Sequence, residues 1–147
     1  MKENLYKTND KKWVADIHYR TSWDIYPQIL KEINLKSEDK VLDVGCGTGE
    51  LSKWIDNKEL WGIDFHEESV KEAKKKWYKK VFLGNIENLK FRYKDFDVSF
   101  SIQVFQYLKN PKKTFDEMLR VTKKQIIITA PNFIWLKIKS LFGKDFR

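Results

Sequence analysis

Apolar residues along the chain fall into short runs separated by polar and charged stretches. Five of these runs are brief and bounded by turn residues, as expected of strands in a sheet that is covered on both faces. The run 125–130, Gln-Ile-Ile-Ile-Thr-Ala, is the richest in β-branched residues. The predicted strands are 40–44, 59–63, 81–83, 97–101 and 125–130.

Helical periodicity fills the intervals between these runs. Leu51, Trp54 and Ile55 recur at the spacing of one helix face. Residues 67–78 are acidic at their start and basic at their end, which suits the helix dipole. The predicted helices are 50–56, 67–78 and 112–121, and residues 12–34 are predicted to be helical in two pieces.

Strands that alternate with helices form parallel βαβ units. The sequence therefore predicts the α/β fold class, with a doubly wound, mainly parallel sheet of about five strands and helices on both faces. Its 147 residues suit one domain. We expect an N-terminal helical cap (12–34), a core (38–131) and an amphipathic basic tail (132–147).

Composition narrows the class of protein without identifying it. Aromatic residues make up 15% of the chain, with six glycines and three prolines, which excludes a disordered or collagen-like protein. The single cysteine excludes an internal disulfide and a multi-cysteine metal site, and no metal site is expected. No apolar run is long enough to span a bilayer and the first residues lack a signal-peptide core, so we expect a soluble, cytoplasmic protein.

The net charge of +8 is open to two interpretations. A basic surface can attract nucleic acid, an anionic membrane or an acidic partner. Alternatively, the excess reflects a lysine-rich composition, since most basic residues are lysines spread along the chain. Arginine and aromatic residues are not interleaved in any RNA-binding pattern, which favours the second interpretation.

The segment that most strongly indicates chemistry is 41–50, Val-Leu-Asp-Val-Gly-Cys-Gly-Thr-Gly-Glu, where a strand enters a glycine loop and then a helix. Glycines at 45, 47 and 49 allow a sharp turn and a close approach of the backbone to a ligand. The following helix start offers free N–H groups. Asp64 ends the next strand, where a carboxylate can accept hydrogen bonds from both hydroxyls of a ribose. The pattern predicts a nucleoside-containing ligand at the carboxyl ends of the first two strands.

The spacing of the loop argues against a dinucleotide. The dinucleotide fingerprint Gly-x-Gly-x-x-Gly, counted from Gly45, requires a glycine at position 50. The chain has Glu50 there, and its carboxylate would repel a pyrophosphate.

Residues 41–50, together with Asp64, resemble motif I and the following acidic position of the class I S-adenosylmethionine-dependent methyltransferases. More narrowly, they resemble the small-molecule and lipid-modifying group that includes the ubiquinone and menaquinone methyltransferases. Residues 84–89 resemble the family's adenine-binding segment, and residues 96–111 resemble its fourth strand and following loop. The resemblance covers residues 38–131 and implies a Rossmann-like fold. It also implies S-adenosyl-L-methionine as cofactor and methyl transfer to a small-molecule or lipid-like acceptor.

The same resemblance assigns roles to individual residues. Asp43 and the glycine loop would hold the methionyl part, and Asp64 would bind the ribose hydroxyls. Phe65 and Asn85 would contact the adenine, with the Ile86 backbone beside it. The residues implied in cofactor binding are Asp43, Gly45, Cys46, Gly47, Gly49, Asp64, Phe65, Asn85, Ile86, Ser101 and Ile102, the last two at the sulfonium end.

A general base is needed only if the acceptor must lose a proton during attack. The candidate bases are His18, Tyr19, Tyr26, His66 and Tyr107. Two residues depart from the family's pattern. Asn85 stands where many members carry aspartate, so we expect weaker adenine binding, and Tyr107 replaces a common histidine.

The family continues past its fifth strand with a helix and two further strands, whereas 16 residues follow Pro131 here. We therefore expect the sixth and seventh strands to be absent and the fifth strand to be an exposed apolar edge. The basic tail could cover that edge, cap the acceptor pocket, contact a partner or lie on an anionic membrane. A protein partner or self-association along the fifth strand would follow from such an edge.

Two other functions stay open at this point. One is a non-catalytic, cofactor-binding subunit that a partner completes. The other is an RNA methyltransferase that uses the positive charge to bind its substrate. No Asn-Pro-Pro-Tyr-like tetrapeptide follows the fourth strand, which disfavours methylation of exocyclic amines in nucleic acid.

Overall fold

A seven-stranded sheet forms the centre of the computed structural model, which describes residues 4–7, 13–16 and 25–130. The strand order is β1-β2-β7-β6-β3-β4-β5. The β1–β2 pair is antiparallel, and all other neighbours are parallel. The strands are β1 (Asn4–Lys7), β2 (Trp13–Asp16), β3 (Val41–Val44), β4 (Leu60–Asp64), β5 (Lys80–Leu83), β6 (Phe96–Ile102) and β7 (Thr122–Thr129). The helices are α1 (Ile25–Glu32), α2 (Glu67–Ala73) and α3 (Pro111–Val121).

Strands β3 to β7 are the five predicted ones, and they confirm the predicted doubly wound α/β arrangement. The core of the sheet starts at β3, continues with β4 and β5 on one side, and then places β6 and β7 on the other. The direction of winding therefore changes between β3 and β6. In such sheets a crevice opens at this point, beyond the carboxyl ends of the strands.

Side chains of β7 show how both faces of the sheet are covered. Ile126 and Ile128 pack in one apolar cluster with Phe115 of α3. Ile127 points to the opposite face and packs in a second cluster with Ile29 of α1. An unbroken apolar run is what a strand buried on both faces requires. Among the described helices, none is long and apolar enough to cross a membrane.

Residues 12–34 were predicted to be helical. The prediction is confirmed over Ile25–Glu32, which form α1, and is wrong over Trp13–Asp16, which form strand β2. Residues 17–24 lie outside the described residues. Strand β2 pairs in parallel with β7, from Trp13 opposite Gln125 to Asp16 opposite Ile128. The pairing gives hydrogen-bond partners to backbone groups that an edge strand leaves open.

The predicted exposed edge at the fifth strand is therefore wrong, because β7 lies between β6 and β2. The N-terminal segment adds β1 and β2 to the five predicted strands, and within the described residues the edges of the sheet are β1 and β5. Along Gln125–Ile128, β2 therefore occupies the position that a partner strand would need. The basic tail, 132–147, lies outside the described residues.

Two predicted helices are shorter than expected. The segment 50–56 forms only a 3-10 turn, Glu50–Lys53. The helix predicted over 67–78 ends at Ala73, after which the N–H groups of Lys75 and Lys76 bond to carbonyls three residues earlier. This tighter winding brings the chain back toward the sheet, where Tyr78 packs against the second apolar cluster.

An ion pair on α3 fixes the loop between β5 and β6. Glu117 Oε2 accepts a hydrogen bond from the Leu89 N–H at 2.7 Å. Arg120 donates to the carbonyl oxygens of Leu89 and Phe91, both at 2.8 Å, and also to Glu117. These bonds satisfy backbone groups that no strand or helix serves. This clamp of Glu117 and Arg120 thereby holds the loop that contains Asn85.

Replacing Arg120 with methionine should loosen this loop, because the donors are lost while most of the side-chain stem remains. We expect the free energy of unfolding to fall by about 1–3 kcal/mol, measured by urea denaturation. The matched control is Arg92→Met, which alters an exposed arginine of the same loop and should change stability by less than about 0.5 kcal/mol. Equal stability of Arg120→Met and the unmodified protein would contradict the clamp.

Candidate active site

The loop after β3 turns sharply on three glycines with positive φ angles, 76° at Gly45, 52° at Gly47 and 90° at Gly49. The Gly45 N–H donates to the carbonyl oxygen of Ile63 at 2.8 Å, so the loop starts by folding onto β4. A Cβ atom on Gly45 would lie 2.6 Å from Val104 Cγ2. Both the backbone angle and this contact require glycine at the start of the loop.

Asp64 ties the glycine loop to the end of β4. Its Oδ2 accepts from the Gly47 N–H and its Oδ1 accepts from the His66 N–H, each at 2.9 Å. A carboxylate has about four lone-pair sites, so each oxygen keeps a site for another donor. A Cβ on Gly47 would have no heavy atom within 4 Å, which shows that the backbone faces open space here.

A cavity of about 700 Å³ lies at the carboxyl ends of the strands. Its walls come from the glycine loop, the end of β4, the segment after β5 and the turn after β6. The volume falls within the range of about 300–1,000 Å³ that small-molecule sites occupy. Its position is the crevice at the change of winding direction, where doubly wound sheets bind ligands.

Most residues predicted for the site line this cavity. Phe65 sits at the rim with 78% of its surface exposed. The Asn85 Oδ1 accepts from the Glu87 N–H at 2.8 Å, which folds the segment after Gly84 into a turn. The predicted residues found in the lining are Asp43, Gly45, Cys46, Gly47, Asp64, Phe65, Asn85, Ile86 and Ile102.

Gly49 and Ser101, which were also predicted for the site, are not among the residues that line the cavity. A Cβ on Gly49 would lie 2.9 Å from the ring of Tyr78 and 3.2 Å from the Ala73 backbone, so this glycine makes room for packing beneath the loop. Ser101 is fully buried in β6. Because side chains alternate along a strand, Ser101 faces away from the side on which Ile102 meets the cavity.

Two of the candidate general bases reach the cavity. Tyr26 and Tyr107 line it, and Tyr107 is 82% exposed. The ring of His66 instead caps α2, where its Nδ1 accepts a backbone N–H at 3.3 Å. His18 and Tyr19 lie outside the described residues.

The turn after β6 forms a wall that the sequence interpretation missed. Gln103, Val104 and Leu108 line the cavity there. Gln103 has a φ of 57°, and its N–H donates to Thr129 Oγ1 at 2.9 Å, so the chain bends over the site. Their position could have indicated them, because ligands in doubly wound sheets contact the loops that follow the strands.

Carboxylates dominate the charge around the cavity. Asp43, Glu50, Asp64 and Glu87 line it, and among the described lining residues none is lysine, arginine or histidine. The protein as a whole carries +8, so the site has the opposite sign to the molecule. Such a site favours a cationic ligand and disfavours a pyrophosphate.

Asp43 is the most deeply buried of these carboxylates, with 3% of its surface exposed. Burial raises its pKa to about 7, even though a hydrogen bond from the Tyr78 hydroxyl at 2.5 Å lowers it, and the charge of Asp64 raises it further. Asp43 is therefore only partly ionised at neutral pH. A cation beside it would favour the ionised form.

Cys46 is a packing residue of the loop. Burial raises the pKa of its thiol, and the charges of Asp43 and Asp64 raise it further. The thiol therefore stays protonated at neutral pH and cannot act as a thiolate nucleophile.

Comparison with known proteins agrees with this geometry. A family profile described as a methyltransferase domain matches residues 42–128. The chain is similar to malonyl-[acyl-carrier protein] O-methyltransferase 2 of Ilyobacter polytropus, with 30% identity over an alignment of 152 positions. The alignment covers 95% of this chain and 51% of the relative. It is 34% identical over 109 residues to the demethylmenaquinone methyltransferase of Staphylococcus saprophyticus, covering 65% and 45%. The chain thus spans about half the length of these curated relatives.

A solved structure shares both the fold and part of the sequence. The SAM-dependent methyltransferase of Aquifex aeolicus superposes with a TM-score of 0.56 and 32% identity, over 67% of this chain and 58% of that one. The family profile covers more than half of the chain, including the glycine loop and Asp64. This chain therefore belongs to the methyltransferase domain family.

Proposed function

We propose that this chain binds S-adenosylmethionine in the cavity beside β3 and β4 and directs its methyl group to a small-molecule or lipid-like acceptor. The observation that carries the proposal is the charge of the cavity. Its described lining holds four acidic side chains and no basic one. S-adenosylmethionine carries positive charge at its sulfonium and its ammonium group, and opposite charges attract more strongly where water is excluded.

The glycine loop and Asp64 suit a nucleoside. Each Asp64 oxygen accepts one backbone N–H and retains a free lone-pair site for a ribose hydroxyl. The open space beside Gly47 allows a ligand to approach the backbone directly. Asp64 and Gly47 would therefore hold the ribose between the first two loops.

The segment after β5 suits the adenine ring. The Asn85 carbonyl oxygen accepts one hydrogen bond from Glu87 and can accept another from an amino group. Ile86 lines the cavity beside it, and the exposed ring of Phe65 offers an apolar face that a bound base would shield from water. The adenine would thus lie between Phe65 and the Asn85 turn.

When bound, S-adenosylmethionine supplies a methyl group already activated by the sulfonium. The protein therefore has to orient an acceptor in line with that methyl group and keep water away. Asp43 would attract the methionyl ammonium, while Ile102 and Val104 would form the apolar wall near the sulfonium. If an acceptor must lose a proton, Tyr26 and Tyr107 are the side chains at the cavity that could hydrogen-bond to it.

The acceptor side of the cavity favours an apolar or aromatic molecule. Its side chains are aliphatic or aromatic: Tyr26, Leu51, Val104, Tyr107 and Leu108. An RNA acceptor is disfavoured, because its phosphates would approach a rim of like charge. The names of two relatives, a quinone and an acyl-carrier-protein methyltransferase, point to acceptors of the same kind.

Cofactor binding is tested by calorimetric titration of S-adenosylmethionine and S-adenosylhomocysteine into the unmodified chain and into Asp64→Ala. We expect micromolar binding that weakens tenfold or more in the variant, corresponding to about 1.5–3 kcal/mol for hydrogen bonds to a charged group. Asp56→Ala, which removes an exposed aspartate, is the control and should bind normally. Circular dichroism must show that Asp64→Ala is folded. Absence of binding by the folded, unmodified chain would overturn the proposal.

Acceptor class is tested by methyl transfer from tritium-labelled S-adenosylmethionine. The protein is incubated with a demethylated quinol, with a malonyl thioester or with total RNA, and the label is followed into each. We expect label in one of the first two and none in RNA, because carboxylates line the cavity and would repel phosphates, whereas its uncharged wall is mostly apolar or aromatic. Label in RNA alone would refute a small-molecule or lipid-like acceptor.

Asp43→Asn should stabilise the protein while weakening cofactor binding. The folded-state pKa of Asp43, about 7, lies above its usual value of about 3.9, so ionising this buried carboxylate costs stability. The unmodified protein should therefore lose stability as pH rises from about 4 to about 7, by at most about 4 kcal/mol. The amide variant lacks this titration.

The measurement is urea denaturation of both proteins between pH 4.5 and 8.5. The free energy of unfolding of Asp43→Asn, relative to that of the unmodified protein, should increase up to about pH 7 and then level off. The exposed control Asp56→Asn should show no such trend. An advantage that shrinks with rising pH would contradict a raised pKa at Asp43.

A further inference from the structure

Tyr78 lies outside the cavity lining, yet its hydroxyl contacts the most buried carboxylate of the site. The hydroxyl donates to Asp43 Oδ2 at 2.5 Å, across 35 positions of sequence. Tyr78 follows the turn at the end of α2, so it approaches Asp43 from beneath the glycine loop. Asp43 itself lines the cavity. The hydrogen bond therefore joins the floor of the site to an element that does not contact the ligand space.

Two glycines form a slot that fixes the ring of Tyr78. A Cβ on Gly49 would lie 2.9 Å from one ring carbon, and a Cβ on Gly62 would lie 3.0 Å from another. Gly49 belongs to the loop after β3 and Gly62 to β4, so the ring is held between two elements of the site. This packing explains why Gly49 is glycine although it does not line the cavity.

We infer that Tyr78 is a positioning residue, whose hydroxyl orients Asp43 and favours its ionised form, so that the carboxylate can receive the ammonium group of the cofactor's methionyl part. The inference rests on the proposed binding of S-adenosylmethionine. It adds to that proposal a residue that neither touches the ligand nor belongs to the glycine loop.

The charges around Asp43 show why the hydroxyl matters. Asp64 faces Asp43 and raises its pKa, as does burial, whereas the hydrogen bond from Tyr78 lowers it. The other ionisable groups nearby are the Cys46 thiol, which burial keeps neutral, and Tyr26, which faces Tyr78. Among the described residues that shift the pKa of Asp43, none is a cation. Loss of the hydroxyl would therefore raise the pKa of Asp43 further and leave less of the carboxylate ionised at neutral pH to attract an ammonium group.

The test is Tyr78→Phe, which keeps the ring in its slot and removes only the hydroxyl. Two ligands are titrated by calorimetry from pH 6 to pH 8.5. S-adenosylhomocysteine carries the ammonium group, and 5′-methylthioadenosine has the same nucleoside without it. For S-adenosylhomocysteine we expect the affinity of the unmodified protein to rise through a midpoint near pH 7. In the variant that rise should move to higher pH, which makes binding at pH 7 about tenfold weaker. Affinity for 5′-methylthioadenosine should be the same in both proteins.

Tyr93→Phe removes an exposed tyrosine hydroxyl and is the matched control, with no expected change for either ligand. A pH-independent loss that is equal for both ligands would assign Tyr78 a purely structural role and overturn the inference. Unchanged binding of both ligands by Tyr78→Phe would also overturn it.

A ligand-free measurement separates this inference from the proposed function. The carboxyl carbon of Asp43 is followed by carbon-13 NMR over the same pH range, in the unmodified protein and in Tyr78→Phe. A higher titration midpoint in the variant is expected, and identical midpoints would overturn the inference even if the cofactor binds. If neither ligand binds the unmodified protein, the proposed function fails, and with it the assignment of Tyr78 to cofactor binding.

Discussion

The hydrogen bond from the Gly47 N–H to the Asp64 carboxylate sets the shape of the site, because it joins the loops that follow two neighbouring strands. Strands β3 and β4 pair in parallel with Val44 opposite Ile63, so the residues after them emerge side by side. The Asp64 carboxylate takes one N–H from each following loop and still has acceptor sites to spare. Three of the five residues in the loop that it anchors are glycines. A ligand there would therefore contact peptide groups and carboxylates directly.

That arrangement places like charges close together in the unliganded protein. Asp43 and Asp64 repel each other, and the burial of Asp43 adds a cost of desolvation. Backbone N–H groups offset part of the cost at Asp64, and the Tyr78 hydroxyl offsets part of it at Asp43. Sites prepared for a charged ligand commonly sacrifice stability in this way. The two carboxylates are therefore better explained by a cationic ligand than by the stability of the fold.

Local patterns in the sequence were sufficient to predict the core of the fold and the first two loops of the site. Short β-branched runs alternating with helical periodicity predict β3 to β7, and the glycine loop and Asp64 each follow a strand within a few residues. The cofactor roles of these residues remain predictions. Local patterns could not predict contacts that depend on the order of the strands in the sheet.

Two particular contacts show this limit. The pairing of β2 with β7 joins segments more than a hundred residues apart, and a four-residue strand carries too little pattern to distinguish it from helix. The hydrogen bond between Tyr78 and Asp43 requires α2 to end early, which its charge pattern does not reveal. Ser101, in contrast, was within reach, because alternation along β6 places it on the face opposite Ile102.

The position of Asp43 makes proton binding and cation binding compete for the same carboxylate. With a pKa of about 7, Asp43 holds a proton in an appreciable fraction of molecules at neutral pH. A cation that binds only the ionised form must displace that proton. By linkage, protonation of Asp43 weakens binding of the cation, and the bound cation in turn lowers the pKa of Asp43 by the same free energy. The strength of the Tyr78 hydrogen bond decides how much of this competition occurs in the physiological range. Tyr78, a half-buried residue beneath the loop that does not line the cavity, thereby helps to set the pH at which the site binds a cation.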